Sequence, residues 1–367
     1  MKNKITLPTY DEITTVENLL SSFKKFGKNK KYKTDVTEFT AQLFTNITDL
    51  HTDLHNNTYT HSAYTHFTIA DPKKRDIHKS SVRDRVVHHM LYHALYPYFD
   101  SKFIHDSYSC RINKGTHRGI DRFKKFSRKC SCNNTRTCWV LKCDIRKFFA
   151  SIKHQILKSI LCKHIHEERL ATLLENIIDS FCSLPPLLGG GAEERGRGGL
   201  NTVPHPNPPL HRGGENTTGL PLGNLTSQLL VNIYMNKFDQ FVKHRLKQKY
   251  YIRYADDFVF LADNKKELEK LLPSVRKFLW EQLRLELHPD KVFIKTIASG
   301  VDFLGWVHFT DHRVLRTATR RRMIRNLKDN QKIESVASYQ GMLSHGNAWK
   351  LQKQHLDFNQ DEFDIDK

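Results

Sequence analysis

The run Tyr251-Ile252-Arg253-Tyr254-Ala255-Asp256-Asp257-Phe258-Val259-Phe260-Leu261 sets two adjacent carboxylates between segments rich in aromatic and β-branched residues. That pattern predicts a β-hairpin with the acidic pair at its tip. Carboxylates held this close repel each other, and a divalent cation between them keeps both ionised. With a third acid, such a pair can hold two metal ions for in-line phosphoryl transfer. Asp-Asp is also common in ordinary surface turns, so the hairpin alone does not decide.

Asp144 is the natural third acid. Trp139-Val140-Leu141-Lys142-Cys143-Asp144-Ile145 reads as a buried strand ending in a carboxylate. If that strand pairs with the hairpin, Asp144 joins Asp256 and Asp257. One ion would then help ionise a hydroxyl nucleophile, and the other would hold a triphosphate and stabilise the leaving pyrophosphate.

The elements around these acids follow from periodicity. Residues 1–70 read as mostly helical. A basic loop or strand follows, and then a helix in which Val86, Val87, Met90, Leu91, Ala94 and Leu95 recur at helical spacing. Helices are predicted over 151–166, 168–181, 226–248 and 265–284, and a second hairpin over 301–306. The final 50 or so residues read as basic helix. Residues 183–218 differ, holding half of the chain's 12 prolines and eight of its 17 glycines. Such a segment cannot bury a core and reads as a disordered insertion.

A formal net charge of +20 and a pI near 9.6 point to a polyanionic partner, above all nucleic acid. Basic residues recur in separate segments, including Lys73, Lys74 and Arg75, Arg118 to Lys129, and Arg313 to Lys328. No run approaches the ~18 apolar residues of a membrane span. The amino terminus carries no apolar signal-peptide core, so a cytoplasmic protein is expected. Seven cysteines without secretory context read as reduced thiols. Cys130, Cys132, Cys138 and Cys143 lack the paired C-x2-C spacing of common zinc sites.

Six blocks in order make the chain resemble a reverse transcriptase of the bacterial type, over almost its whole length outside 183–218. Lys73-Lys74-Arg75-Asp76-Ile77 with Arg83-Asp84-Arg85-Val86-Val87 is similar to the fingers block. Ser107-Tyr108-Ser109-Cys110-Arg111 with Gly115-Thr116-His117-Arg118-Gly119 resembles the next. Asp144 to Ile152 and Tyr254-Ala255-Asp256-Asp257 resemble the catalytic palm motifs. Pro289-Asp290-Lys291 and Phe303-Leu304-Gly305-Trp306 resemble the later palm block and the primer grip.

The resemblance implies an α+β, right-hand polymerase fold. It assigns an amino-terminal region and fingers to 1–135 and an antiparallel-sheet palm to 136–308, interrupted by 183–218. A short, basic helical thumb and tail would occupy 309–367, too short for further DNA-binding or nuclease domains. The activity implied is RNA-directed DNA synthesis, with two Mg²⁺ ions, or Mn²⁺ in their place. Asp144 and Asp256 are the leading metal ligands and catalytic residues, with Asp257 third. Phe149 would exclude a 2′-hydroxyl and so select deoxynucleotides. Lys73 and Arg75 would clamp the triphosphate. Lys291 would approach the phosphates or stay solvated. The primer grip would use Phe303, Leu304, Gly305 and Trp306. A thumb helix face of Arg313, Arg316, Arg320, Arg321, Arg322 and Arg325 would grip the template–primer phosphates.

Gly219 to Gln228 is the most discriminating block. Many reverse transcriptases carry Gln-Gly…Ser-Pro here; this chain has Leu222-Gly223…Ser227-Gln228. That variant resembles the enzymes of diversity-generating retroelements, as does Ser338 to Asn347 near the carboxyl end. Those enzymes copy a template-repeat RNA into cDNA with errors at adenines, helped by a small basic accessory protein. Leu222, Gly223 and Gln228 would then line the nucleotide pocket. The expected partners are template RNA, a DNA or RNA primer, cDNA and dNTPs, in a bacterial, archaeal or phage setting. The alternatives are a defence-type or group II intron-like reverse transcriptase, or a catalytically inactive RNA-binding relative.

Overall fold

The computed structural model describes residues 5–70, 74–182, 217–329 and 333–355. The chain begins with α1 (Tyr10–Ile13), α2 (Val16–Gly27), α3 (Thr34–Ala41) and α4 (Leu43–His55). Thr9 and Glu12 form a reciprocal capping box at α1, and the Thr15 hydroxyl accepts the Asn18 N–H at α2. A largely exposed hairpin follows, β1 (Thr65–Ile69) with β2 (Arg75–Lys79), then α5 (Val82–Asp100), capped by Ser81. Next come α6 (Thr116–Cys130), β3 (Trp139–Asp144), α7 (Phe148–Ser151), α8 (His154–Cys162), α9 (Glu168–Asp179) and α10 (Leu225–Gln240). After them lie β4 (Tyr251–Tyr254), β5 (Asp257–Ala262), α11 (Lys265–Leu283), β6 (Phe293–Thr296), β7 (Val301–Phe303), β8 (Trp306–His308) and β9 (Arg313–Leu315). The last helices are α12 (Thr317–Asp329), α13 (Ile333–Leu343) and α14 (Trp349–His355).

These elements form two compact units, each assembled from three chain segments. The first comprises residues 1–105, 145–246 and 277–286. It is mainly helical, with α2 and α10 both packed on α5. The α5 residues expected from periodicity, Val86, Val87, Met90, Leu91 and Leu95, are all buried there.

The second unit comprises residues 106–144, 247–276 and 287–367. Its core is an antiparallel sheet in the order β4-β5-β3-β6. Register sets Val140, Lys142 and Asp144 of β3 opposite Leu261, Val259 and Asp257 of β5. Because strand side chains alternate, these six share one face. Its apolar end, Val140, Val259, Leu261 and Ile252, packs with Phe123, Phe126 and Cys130 of α6. Its other end carries the acids. A smaller sheet, β7-β8-β9, leads into the α12–α14 cluster around Trp306, Met323, Leu327 and Leu343.

Several expectations shift in detail. The helix expected over 151–166 forms only over α8 (His154–Cys162), because Ile152 and Lys153 are extended and separate it from α7. The 226–248 helix ends α-helically at Gln240 and continues as a π-turn, Phe241–Arg245. Of the segment 183–218, only Thr217 and Thr218 are described. Thr218 bridges Lys153, and the Thr217 carbonyl accepts the His154 N–H; residues 183–216 lie outside the described residues. Among the described residues, no helix is long and apolar enough to cross a membrane.

Candidate active site

The acidic hairpin forms as its sequence predicts. β4 and β5 pair from Tyr251↔Phe260 to Tyr254↔Asp257, leaving Ala255 and Asp256 as a two-residue turn. Ala255 takes φ 55°, the left-handed region that an L-residue enters at a cost of roughly 1–2 kcal/mol. Asp257 is the first residue of β5, and Asp144 lies directly opposite it on β3. Facing residues in an antiparallel pair have Cβ atoms about 4.5–5.5 Å apart, and like charges there are destabilising. The sheet therefore sets up a charge conflict that needs cations.

Two lysines answer it from within the chain. Lys142 Nζ lies 3.3 Å from Asp257 Oδ2, and Lys291 Nζ donates to Asp144 Oδ1 at 2.8 Å. Lys291 sits on a short 3₁₀ turn that is tied to the strand end by the His288 N–H, 2.7 Å from the Asp144 carbonyl. Burial pushes the Asp257 carboxyl up to about 7; Lys142 pulls it down, while Asp144 and Asp256 add to the rise. Asp257 Oδ1 is buried and has no hydrogen-bond partner among the described residues. A buried acceptor without a donor is costly and calls for a ligand.

The oxygen-only acid set and that orphaned oxygen fit a hard divalent cation such as Mg²⁺ or Mn²⁺. Among the described residues, no three acids, imidazoles or thiols form a ready-made cage. Mg²⁺ in phosphoryl-transfer sites is ordinarily held by one or two carboxylates plus substrate phosphates, so a full protein cage is not required.

Arg253 supports the turn and escaped the sequence reading. It is fully buried in β4. Its guanidinium donates to the Ala255 carbonyl and to Ser107 Oγ, both at 3.1 Å. Its own N–H donates to the Asp106 carbonyl, and its carbonyl accepts the Tyr108 N–H. The Ser107–Arg111 block thus braces the acidic hairpin from beside β4. Lys142 also escaped notice. The available signal was its period-two spacing from Asp144 inside an otherwise apolar strand.

In the first unit, the Leu222 carbonyl accepts the His78 N–H of β2 at 3.1 Å. Asn224 accepts from Ser80 Oγ and donates to the His78 carbonyl. Gly223 has φ +111°, and a Cβ there would lie 3.1 Å from Ile77 Cγ2. A side chain here would be strained by the backbone and crowded against Ile77. These contacts join the Leu222-Gly223 turn to the strand that begins with exposed Arg75. The Leu220 N–H donates to the Phe149 carbonyl, so half-buried Phe149 adjoins the same block. Gln228 is half-buried on α10. Lys73 lies outside the described residues.

Residues 70–308 match the model of the family described as reverse transcriptase (RNA-dependent DNA polymerase). The chain belongs to that family. The chain is 26% identical to protein YkfC of Escherichia coli over 280 residues, 68% of this chain and 65% of that protein. A Saccharomyces cerevisiae protein described as a COX1/OXI3 intron 2 protein is 21% identical, over 63% of this chain and 30% of its own length. The chain therefore spans less than two thirds of either relative. Among solved structures, an apo telomerase from Candida tropicalis aligns with a TM-score of 0.46 and 11% identity, covering 72% of this chain and 58% of that one. A Cas6-RT-Cas1–Cas2 complex aligns with a TM-score of 0.39 and 19% identity, covering 74% and 42%.

For a reverse transcriptase, the carboxyl-terminal residues narrow the earlier expectations. Leu304 (φ 52°) and Gly305 (φ 85°) form the turn between β7 and β8. Both are half-buried, whereas Phe303 and Trp306 are core residues. Any strand contact by this element therefore falls to the turn, with its flanking aromatics as anchors. Arg313 and Arg316 do not belong to a helix face. Arg313 lies in β9, where it bonds the His345 carbonyl, and Arg316 pairs with Asp302 before α12 starts. Arg320, Arg321 and Arg325 remain exposed on α12, opposite buried Met323 and Leu327.

Proposed function

We propose that this chain is an active RNA-directed DNA polymerase of a diversity-generating retroelement, copying a template-repeat RNA into cDNA. The observation that carries the polymerase reading is Asp144 set directly opposite Asp257, with Asp256 in the adjoining turn and one buried carboxylate oxygen left without a donor. Asp144, Asp256 and Asp257 would hold the ions. When bound, two divalent cations supply the charge that ionises a primer 3′-hydroxyl and stabilises leaving pyrophosphate. The chain's own part is positioning. Arg253 fixes the turn that carries Asp256, and Lys142 favours the charged form of Asp257 opposite Asp144. Lys291 holds Asp144 and stands ready to meet phosphate. Phe149 would gate the sugar, and Lys73 and Arg75 would meet the triphosphate.

The retroelement reading rests on Leu222 in place of a glutamine. A glutamine amide would hydrogen-bond the nucleotide and fix its pose, whereas leucine offers apolar contact alone. Losing one such bond, worth about 1 kcal/mol, relaxes discrimination several-fold. A small basic accessory protein would assist with the template RNA. The intron-protein description of the yeast relative favours a second reading, an intron-type enzyme that copies faithfully.

Sequenced primer extension on an adenine-containing RNA template separates them, with Asp256→Ala as the inactive control. Divalent-dependent cDNA with changes concentrated opposite adenines supports the retroelement enzyme, and Leu222→Gln should reduce those changes several-fold. Faithful cDNA moves the chain to the second reading. No product, with or without an accessory protein, removes the polymerase.

A further inference from the structure

The first unit contains a basic, aromatic cavity. Its volume is about 690 Å³, within the range of small-molecule sites. Arg146, Lys147, Lys153, Trp280, Arg284 and Glu286 line it. The single carboxylate, Glu286, lies 4.0 Å from Arg146 and offsets that cation. Among the described residues, no acid pairs with Lys147, Lys153 or Arg284.

Trp280 is 50% exposed, unusual for the largest aromatic side chain. The Arg284 guanidinium lies 5.5 Å from its ring centroid. Ring and guanidinium together make a stacking platform of the kind single-stranded nucleic acid uses. Ser151, Thr217 and Thr218 also line it.

The backbone shows that these cations are placed at a cost. Lys147 (φ 46°) and Arg284 (φ 52°) both sit in the left-handed region, where glycine or asparagine is ordinary. Strain of this kind persists where surrounding structure enforces it and concentrates at functional sites. The walls are fixed, since the Arg146 N–H donates to the Glu286 carbonyl at 2.9 Å and Lys153 bridges Thr218.

We infer that this cavity binds an unpaired nucleotide of single-stranded nucleic acid, with the base on Trp280 and the phosphates on Lys147, Lys153 and Arg284. The inference rests on the family's handling of nucleic acid, not on the retroelement reading. A binding measurement keeps the two tests separate.

The experiment photo-cross-links 5-iodouridine-containing oligo(U) RNA and oligo(dU) DNA, in parallel, to the full chain and maps the adduct. A cross-link at Trp280 is expected, and any preference between the two sugars identifies the strand. Trp280→Tyr should keep oligonucleotide affinity, whereas Trp280→Leu should weaken it about ten-fold, the scale of one lost base stack. Lys153→Gln with Arg284→Gln should flatten the salt dependence by about 1.4 log units per log unit of salt, ~0.7 for each lost phosphate contact. An adduct map without Trp280, together with Trp280→Leu binding as wild type, overturns the site. Competition by uridine monophosphate as potent as the oligomer overturns the strand assignment.

Discussion

Replacing Arg253 by methionine tests how the acidic turn is held. Methionine matches much of the length and is apolar, so the fully buried position stays filled. Two guanidinium hydrogen bonds disappear, to the Ala255 carbonyl and Ser107 Oγ. Bonds from a charged donor are worth about 1.5–3 kcal/mol each, so the turn loses roughly 3–6 kcal/mol of local restraint. Relief of the buried charge's desolvation offsets much of this globally, since apolar replacement of buried ionic groups is often close to neutral. Ala255 then has less to hold its left-handed backbone, which costs roughly 1–2 kcal/mol on its own. A shift of about 1 Å in Asp256 is enough for a ~100-fold loss in rate. We therefore expect kcat for primer extension to fall about 100-fold while the urea midpoint moves little. Arg253→Lys keeps one bond and should fall between the two. Steady-state extension on a homopolymer template, beside urea denaturation, reads both quantities. Wild-type kcat in Arg253→Met, with the fold intact, would refute the positioning role.

Lys142→Met removes the partner of Asp257 and should lower unfolding free energy by about 3 kcal/mol, the low end for breaking a buried pair because Asp257 can take up a proton. Adding Mg²⁺ should raise its Tm more than that of the wild type, which calorimetry with and without the ion checks. Gly223→Ala meets both a positive φ and a 3.1 Å approach to Ile77, and should cost about 1–2 kcal/mol by thermal denaturation while impairing nucleotide KM. His308 is buried, donates to the Phe303 carbonyl and faces Arg313 and Asp302; burial foremost pushes its pKa down to about 4. The unfolded imidazole, near 6.5, takes a proton first, so this contribution is full above pH ~6.5 and fades as pH falls towards ~4. The total is roughly 3 kcal/mol. Urea titrations at pH 7 and pH 5 should show a smaller drop for His308→Gln than for the wild type.

The acidic hairpin was legible because its signal is local. Aromatic and β-branched runs on either side set the strands, and the acidic pair between them marks the tip, which falls on Ala255 and Asp256. Asp144 was legible for the same reason, as the end of an apolar run. What the sequence could not disclose were the partners of charge. Arg253 reads as a polar residue in a hairpin, yet it is buried, because its acceptors come from Ser107 and Ala255. Lys142 is the one charge inside a strand that reads as buried, and only the register shows that its partner is Asp257. The run Arg313–Arg325 reads as one cationic helix face. Only pairing of β9 with β8, and of Arg316 with Asp302, shows that its first two members are committed elsewhere. Phe303 and Trp306 sit in a motif-like run, but alternation about the Leu304-Gly305 turn sends both inward.

The two lysines also rank the acids. Asp144 and Asp257 face one another across the same strand pair, yet their partners differ in freedom. The Lys142 side chain is 8% exposed and rises from the middle of a central strand, so it cannot leave Asp257 without abandoning a charge in the core. Lys291 is 39% exposed and sits on a 3₁₀ turn, so it can swing into water at little cost. Asp144 is thus the carboxylate whose neutralising cation can be exchanged for another. Asp257 stays half-compensated, with one oxygen on Lys142 and one unpartnered. This asymmetry gives a physical reason to propose Asp144 ahead of Asp257 as the carboxylate that would meet substrate-borne charge. It also explains how a sheet with opposed carboxylates stays folded before any ion arrives.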